Sequence, residues 1–313
     1  MPRTGSAPSA HSPNYQDSEE DFDLFGDDDA DPTSADFRQQ LQDRADQARR
    51  AKLASLPPLH SQRTCAQNRT AYILNPAQRL QPTILAKIFS VQECETVLNS
   101  VVGYVQRQGG LQTDRHEKFA TTDVPVSELT EQFEDDDSAL GKNPVGDVIQ
   151  EWVAQRILTR MASAAGFRPQ DLGLKDLFVV CYAAAGTDEG PANIAARKRA
   201  DVPVYPIPSK QASLSLHSDG CLLSFSLLLN HHDAFEGGGT FFKGSGETFC
   251  VEQGGLLMHD AGLEHAGARI TGGQRIILVG FVETVDVLKT KQCWEKQSVG
   301  QRQDRRILNE EAA

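Results

Sequence analysis

The sequence predicts an α+β chain in which N-terminal supporting helices lead into an antiparallel β jelly roll, behind a disordered acidic tail. Two observations predict this. The hydrophobic period falls from 3.6 to 2 after about residue 170. From there, short β runs follow one another with Gly- and Asp-rich turns and no intervening helices, which favours an antiparallel roll over a parallel sheet. A third observation sets off the tail: Asp17, Glu19, Glu20, Asp21, Asp23, Asp27, Asp28, Asp29, Asp31 and Asp36 come with no Lys or Arg among them. The expected divisions are 1–65 for the tail with a marginal helix at 34–54, 66–170 for helical support, 171–288 for the β domain, and 289–313 for a polar C-terminal tail.

Each element has a local reason. Residues 1–33 carry too few apolar side chains to offset chain entropy. Ser34 then caps a helix with Phe37, Leu41, Ala45 and Ala48 on one narrow face, and Pro57-Pro58 ends it. Ser90 and Glu93 form a capping box for a helix whose stripe is Cys94, Val97, Leu98, Val101 and Val102. An acidic run from Glu131 to Asp137 reads as a solvated loop. A further helix runs from Asn143 to Ala165, with Val148, Trp152, Ile157, Leu158 and Met161 inward and Gly166 as its stop. Strands are expected at 177–182, 212–216, 222–229, 240–242, 248–251, 255–258 and 275–282. Residues 183–210, with Gly186, Gly190, Pro203 and Pro206, form a long loop that is either disordered or a lid.

Composition excludes several classes. The 313 residues hold 31 Lys and Arg against 43 Asp and Glu, a net charge of -12. Setting the ten tail acids aside leaves 31 bases against 33 acids, so the remainder is nearly neutral and lacks the basic stripe that nucleic acid demands. No apolar stretch is long enough to span a membrane, and the start has no secretory h-region. Six cysteines without a CxxC pair suit a reducing compartment. The expectation is a soluble cytoplasmic or nuclear protein, and the sequon at Asn68 carries no glycan there.

The chemistry lies in the β region. His217-Ser218-Asp219 is followed 46 residues later by His265, with Arg275 ten residues beyond it. Two imidazoles and a carboxylate make a facial triad for non-haem Fe(II), leaving three adjacent positions for a bidentate 2-oxoacid and dioxygen. On a strand, residues two apart face the same way, so His217 and Asp219 can grip one ion while His265 comes from another strand. The planar guanidinium of Arg275 suits the far carboxylate of 2-oxoglutarate.

The residues between complete a pattern: Leu228-Leu229-Asn230, Gly237-Gly238-Gly239-Thr240-Phe241-Phe242, Gly254-Gly255 and His265-Ala266-Gly267. This resembles the 2-oxoglutarate and Fe(II)-dependent dioxygenases, on the branch of the prolyl 4-hydroxylases and procollagen lysyl hydroxylases. The run from Gly273 to Val282 is most similar to the lysyl hydroxylase end. The resemblance implies a double-stranded β-helix, hydroxylation of a C–H bond with release of succinate and CO2, and a protein or peptide substrate bearing Pro or Lys. It further implies that Tyr182 and Thr240 help hold 2-oxoglutarate, and it admits ascorbate as an additional cofactor. With no entry signal to the secretory pathway, a collagen substrate is not expected.

A second resemblance sits in the tail. Asp-Leu-Phe-Gly-Asp-Asp-Asp at 23–29, followed by an Arg- and Ala-rich helix, is similar to the central acidic region of the beta and delta subunits of a translation elongation factor. Over residues 19–54 it implies docking to a translation elongation factor complex; a solubilising acidic tail is the plainer reading. Three functions stay open: a protein hydroxylase, an oxygenase acting on a small molecule or nucleobase, and an adaptor docking through its tail. Other residues are less telling. His231-His232-Asp233 reads as a polar turn, His259 as a neighbour of the metal ligands, Cys181 and Cys221 as core, and His116 as undecided.

Overall fold

The computed structural model describes residues 35–116, 119–129, 145–184 and 202–290. The acidic runs at 17–31 and 131–137, Ser34, Asn143, Gly186, Gly190, Cys293 and the end of the 289–313 tail lie outside these residues. Two compact units are present, Met1–Ala51 and Lys52–Ala313. Helix α1 (Ala35–Ala54), most of which belongs to the first unit, runs over the expected span and buries no residue.

The second unit is a mixed assembly of helices and antiparallel sheet. Helix α2 (Cys65–Leu74) opens on a capping box between Thr64 and Gln67. Strand β1 (Thr83–Leu85) precedes helix α3 (Val91–Gln108), whose capping box joins Ser90 and Glu93 as expected and whose end is Gly109 in the left-handed region. Cys94, Val97, Leu98 and Val101 are fully buried, while Val102 is half-buried. Strand β2 (Asp123–Pro125) follows.

The next helix departs from expectation in its winding. It comprises α4 (Val145–Trp152), a π-helical stretch (Val153–Leu158) and α5 (Thr159–Ala165), stopped by Gly166. An α-helix drifts by about 40° over every four residues, and the wider π turn winds that drift back. Ile149, Val153, Ile157 and Met161 therefore share one buried face, four residues apart, and Val148 is 45% exposed rather than inward.

The remaining strands are β3 (Leu172–Ala183), β4 (Leu214–His217), β5 (Leu223–Leu228), β6 (Phe235–Gly237), β7 (Thr240–Phe242), β8 (Glu247–Phe249), β9 (Leu256–Asp260), β10 (His265–Gly267) and β11 (Ile270–Thr284). They form one large sheet in the order β1-β9-β5-β11-β3-β2, with β6 also on β11, and a smaller sheet in the order β4-β10-β7-β8. Strands β1 and β2 come from the region read as helical support, and the short strand β6 was not expected either, whereas β10 is the separate strand expected at His265. Three residues are too few to show a period, and their pairing comes from the neighbouring strands.

Alternation explains why β3 and β11 are apolar on both faces over Leu177–Tyr182 and Ile276–Val279. Val179, Cys181, Ile276 and Leu278 pack with Val97, Leu98, Val101, Ile149 and Val153 in the main core. Their alternate neighbours Phe178, Val180, Tyr182 and Arg275, Ile277, Val279 face a cavity on the other side of the sheet. The described end of the 183–210 loop is anchored: Ile207 is buried, and the Ser209 hydroxyl donates to the Cys181 carbonyl at 2.6 Å.

Candidate active site

Strands β4 and β10 pair with His217 directly opposite His265, which brings residues 48 apart in the chain to the same rung of the small sheet. Asp219 is aimed differently from the sequence-based expectation. Strand β4 ends at His217, so Asp219 belongs to the turn that follows, and strand alternation does not orient it. The turn is held instead by the Asp219 amide on the Ala261 carbonyl (2.9 Å) and by the Lys175 ammonium on the Gly220 carbonyl. The result brings Nε2 of His217 within 3.4 Å of Asp219 Oδ1 and Nε2 of His265 within 3.6 Å of Asp219 Oδ2. One ligand atom from each of the three residues lies within 4.8 Å of the others.

Hydrogen bonds prepare both imidazoles for an ion. Nδ1 of His217 lies 2.7 Å from the Ser215 carbonyl, and Nδ1 of His265 lies 2.9 Å from the Leu263 carbonyl. A carbonyl can only accept, so each Nδ1 carries the proton, and in the neutral ring the lone pair is left on the Nε2 that faces Asp219. Burial opposes ionisation of Asp219, but the hydrogen bond from His217, the nearby His265 and the Ser224 hydroxyl hold its carboxyl below the ordinary carboxylate value. Burial also opposes charge on both imidazoles. It prevails at His265, which is lowered, while Asp219 and the Ser215 carbonyl leave His217 raised.

The same test separates this trio from His231, His232 and Asp233, which also cluster. There Nδ1 of His231 accepts the Asp233 amide at 3.2 Å, which spends the lone pair on backbone, and His232 is exposed. The reading of that segment as a polar turn stands.

Arg275 faces Tyr182 across the β11–β3 pair, with its guanidinium carbon 6.0 Å from the ring centroid. It is only 4% exposed, and among the described residues no carboxylate forms an ion pair with it. Its one hydrogen bond among the described residues is a long one, 3.4 Å, to the Gly239 carbonyl. Burial lowers its pKa, and with no ion-pair partner among those residues the site suits an anion. Glycines make the room. A Cβ on Gly267 would meet Tyr182 Oη at 3.3 Å, and one on Gly238, whose φ is +77°, would meet Arg275 Cδ at 3.2 Å. Thr240, which closes the glycine turn, is buried beside them on β7 and lines the same cavity.

All six residues named from the sequence therefore open on one cavity of about 570 Å³. His259 lines it too, its ring 4.6 Å from that of His265, and burial pushes its pKa down to about 4. His116 is resolved: it stands in the cavity wall, 4.9 Å from the Phe178 ring, with Nε2 3.6 Å from Asp123 Oδ2. Sequence reasoning missed the remaining wall. Arg115 bridges Asp123 at 2.6 Å and Asp176 at 2.9 Å, and the Phe119 ring lies 4.8 Å from that of His217. It also missed Ser224, whose hydroxyl donates to Asp219 Oδ2. A signal for Ser224 was present. In Leu222-Leu223-Ser224-Phe225-Ser226-Leu227 the only polar residues stand two apart, the mark of one face turned to something polar.

Comparison with known proteins is sparse at the sequence level: no family model and no curated protein matches. Solved structures do match. The viral collagen prolyl hydroxylase of Paramecium Bursaria Chlorella virus-1 is 12% identical, covering 65% of this chain and 90% of its own, with a TM-score of 0.36. A 2OG-Fe(II) oxygenase family oxidoreductase from Burkholderia pseudomallei is 12% identical over 71% of this chain and 91% of its own, with a TM-score of 0.41. The epimerase SnoN from nogalamycin biosynthesis, in complex with Fe3+, alpha ketoglutarate and nogalamycin RO, is 13% identical over 70% and 83%, with a TM-score of 0.43. What the cavity can do chemically follows from its own residues: a divalent cation between two imidazoles and a carboxylate, and an organic anion against a buried guanidinium.

Proposed function

We propose that this chain is a 2-oxoglutarate- and Fe(II)-dependent dioxygenase on a double-stranded β-helix, which hydroxylates a C–H bond of a protein prolyl or lysyl side chain. The observation that carries the reading is the pairing, in one cavity, of a His-Asp-His trio with converging ligand atoms and a buried guanidinium that has no ion-pair partner among the described residues. The donor set fits a divalent first-row metal with open positions. The guanidinium fits a carboxylate, which it can engage through two parallel hydrogen bonds.

His217, Asp219 and His265 hold the ion, and Arg275 binds the distal carboxylate of 2-oxoglutarate with Tyr182 and Thr240 beside it. When bound, the metal and 2-oxoglutarate supply the activation of dioxygen, with decarboxylation to succinate and CO2. The rest falls to the protein. Val180, Ile277 and Val279 give that part of the cavity an apolar lining that sheds water. Phe178, Phe281, Arg115 and His116 form the wall open to the substrate. The prolyl or lysyl assignment is supported by the motif order from His217 to Arg275.

The test uses the full-length protein with Fe(II), 2-oxoglutarate and oxygen, with and without ascorbate. Succinate formation stimulated by a peptide pool is the expected result, together with hydroxylation marks lost from the proteome of cells lacking the protein. Absence of succinate under all these conditions, with iron binding unchanged in His217→Ala, overturns the reading. Stimulation by metabolites or nucleobases but not by peptides moves the substrate to the small-molecule class.

A further inference from the structure

The carboxylate of the trio is not held by the two imidazoles alone. Ser224, on β5 and 2% exposed, donates its hydroxyl hydrogen to Asp219 Oδ2. The Sγ of Cys221 lies 3.3 Å from the Ser224 oxygen and 3.3 Å from the Leu223 carbonyl. Donor roles follow from valence. An ionised carboxylate can only accept, so the single hydroxyl hydrogen of Ser224 goes to Asp219, and the thiol hydrogen of Cys221 goes to the Leu223 carbonyl, with Sγ packed against the Ser224 oxygen. The turn is thus braced from within, by Ser224 on Asp219.

This support is one-sided. Oδ2 carries the serine hydrogen bond and also faces Nε2 of His265 at 3.6 Å, while Oδ1 faces Nε2 of His217 at 3.4 Å. We infer that Ser224 is a positioning residue that fixes the rotation of the Asp219 carboxylate, so that it stands ready to hold a metal ion together with His217 and His265. The inference rests on the metal reading of the trio and adds to it. A carboxylate free to rotate must give up that freedom before it can hold an ion, which weakens binding. The hydroxyl hydrogen bond restrains that rotation, and β5 is a rigid place to mount it because it is paired on both sides, with β9 and β11.

The experiment compares ferrous-ion affinity, by anaerobic titration, and the rate at which ferrozine strips the bound iron, in the full-length protein and in Ser224→Ala, Ser224→Thr and Ser224→Cys. Ser224→Ala is expected to bind Fe(II) about 10- to 100-fold more weakly and to lose it correspondingly faster, the usual effect of removing a partner of a metal ligand. Ser224→Thr keeps the hydroxyl and should stay close to the parent. Ser224→Cys, nearly isosteric with a weaker donor, should fall between, and it decides the matter if the alanine variant unfolds early without metal. Parent-like affinity in both Ser224→Ala and Ser224→Cys overturns the inference and leaves the metal reading intact. Failure of the parent protein to bind Fe(II) removes both, and weakening in Ser224→Thr as great as in Ser224→Ala reassigns the effect to packing.

Discussion

A guanidinium shut away from water with no carboxylate beside it is an expense in the free protein and an asset once an anion arrives. That asymmetry makes Arg275 testable from both sides. In Arg275→Met the unfolding midpoint of the ligand-free protein should hold or rise, because an uncompensated buried charge has been removed. The same variant should lose the thermal shift given by 2-oxoglutarate, since truncating one partner of a buried charge pair costs about 2–5 kcal/mol, about 30-fold or more in Kd. A fall in the ligand-free midpoint would show that Arg275 is a packing residue. For the ion, alanine at His217, Asp219 or His265 should each abolish measurable Fe(II) binding at micromolar protein while leaving the far-UV circular dichroism unchanged. At this scale the sequence was informative where residue type is chemically restrictive. Imidazoles two and 46 residues away from a carboxylate stand out, whereas Ser224 and Arg115 are common residue types whose meaning comes only from the atoms they meet across the fold.

Elements with a local code were legible, and elements without one were not. The Ser90–Glu93 box formed as expected, and Glu93 also reaches Arg156 at 2.8 Å. The hydrogen bond from Arg156 is the chief reason that the Glu93 carboxyl lies below its ordinary value, with the Ser90 amide adding to it. A depressed folded-state pKa means stability that is present above the unfolded value and lost as pH falls through the folded one. Glu93→Gln should therefore cost about 1 kcal/mol near neutral pH, discounted for a partly exposed pair, and nothing at pH values where the parent carboxyl is protonated. Paired urea titrations from pH 7 downward check this, and a gap that widens on acidification contradicts it. The glycine turn makes a second prediction. Gly238 sits at φ +77°, and an added Cβ would lie 2.6 Å from Ile270 Cδ1 and 3.2 Å from Arg275 Cδ. Gly238→Ala should destabilise by about 1–3 kcal/mol and raise the Kd for 2-oxoglutarate in titration, because the strain is discharged onto Arg275. The π stretch at Val153–Leu158 had no such legibility: its four-residue spacing is a small departure from the α period, visible only once the buried face is known.

For the whole molecule, the switch from helical to strand periodicity announced the architecture, but the closure of the cavity depended on pairings between distant segments. Helix α1 buries no residue, so a variant lacking residues 1–51 should keep the parent unfolding midpoint and its affinity for Fe(II) and 2-oxoglutarate. A lower midpoint would assign the leader a structural part. Residues 1–60 used as bait offer the complementary measurement: retention of elongation-factor subunits supports a docking role for the acidic leader, and failure to retain them removes it.

Strand β11 is hydrogen-bonded to β3 on one side and to β5 and β6 on the other, and it carries Arg275. It is also the last strand in chain order among the described residues. A growing polypeptide on the ribosome thus holds His217, Asp219 and His265 before it holds the strand that unites the large sheet, and until that strand emerges β3 and β5 each expose an unpaired edge. A break in the chain anywhere within Ile270–Thr284 would therefore leave β3 and β5 with bare edges, which are templates for pairing with other chains.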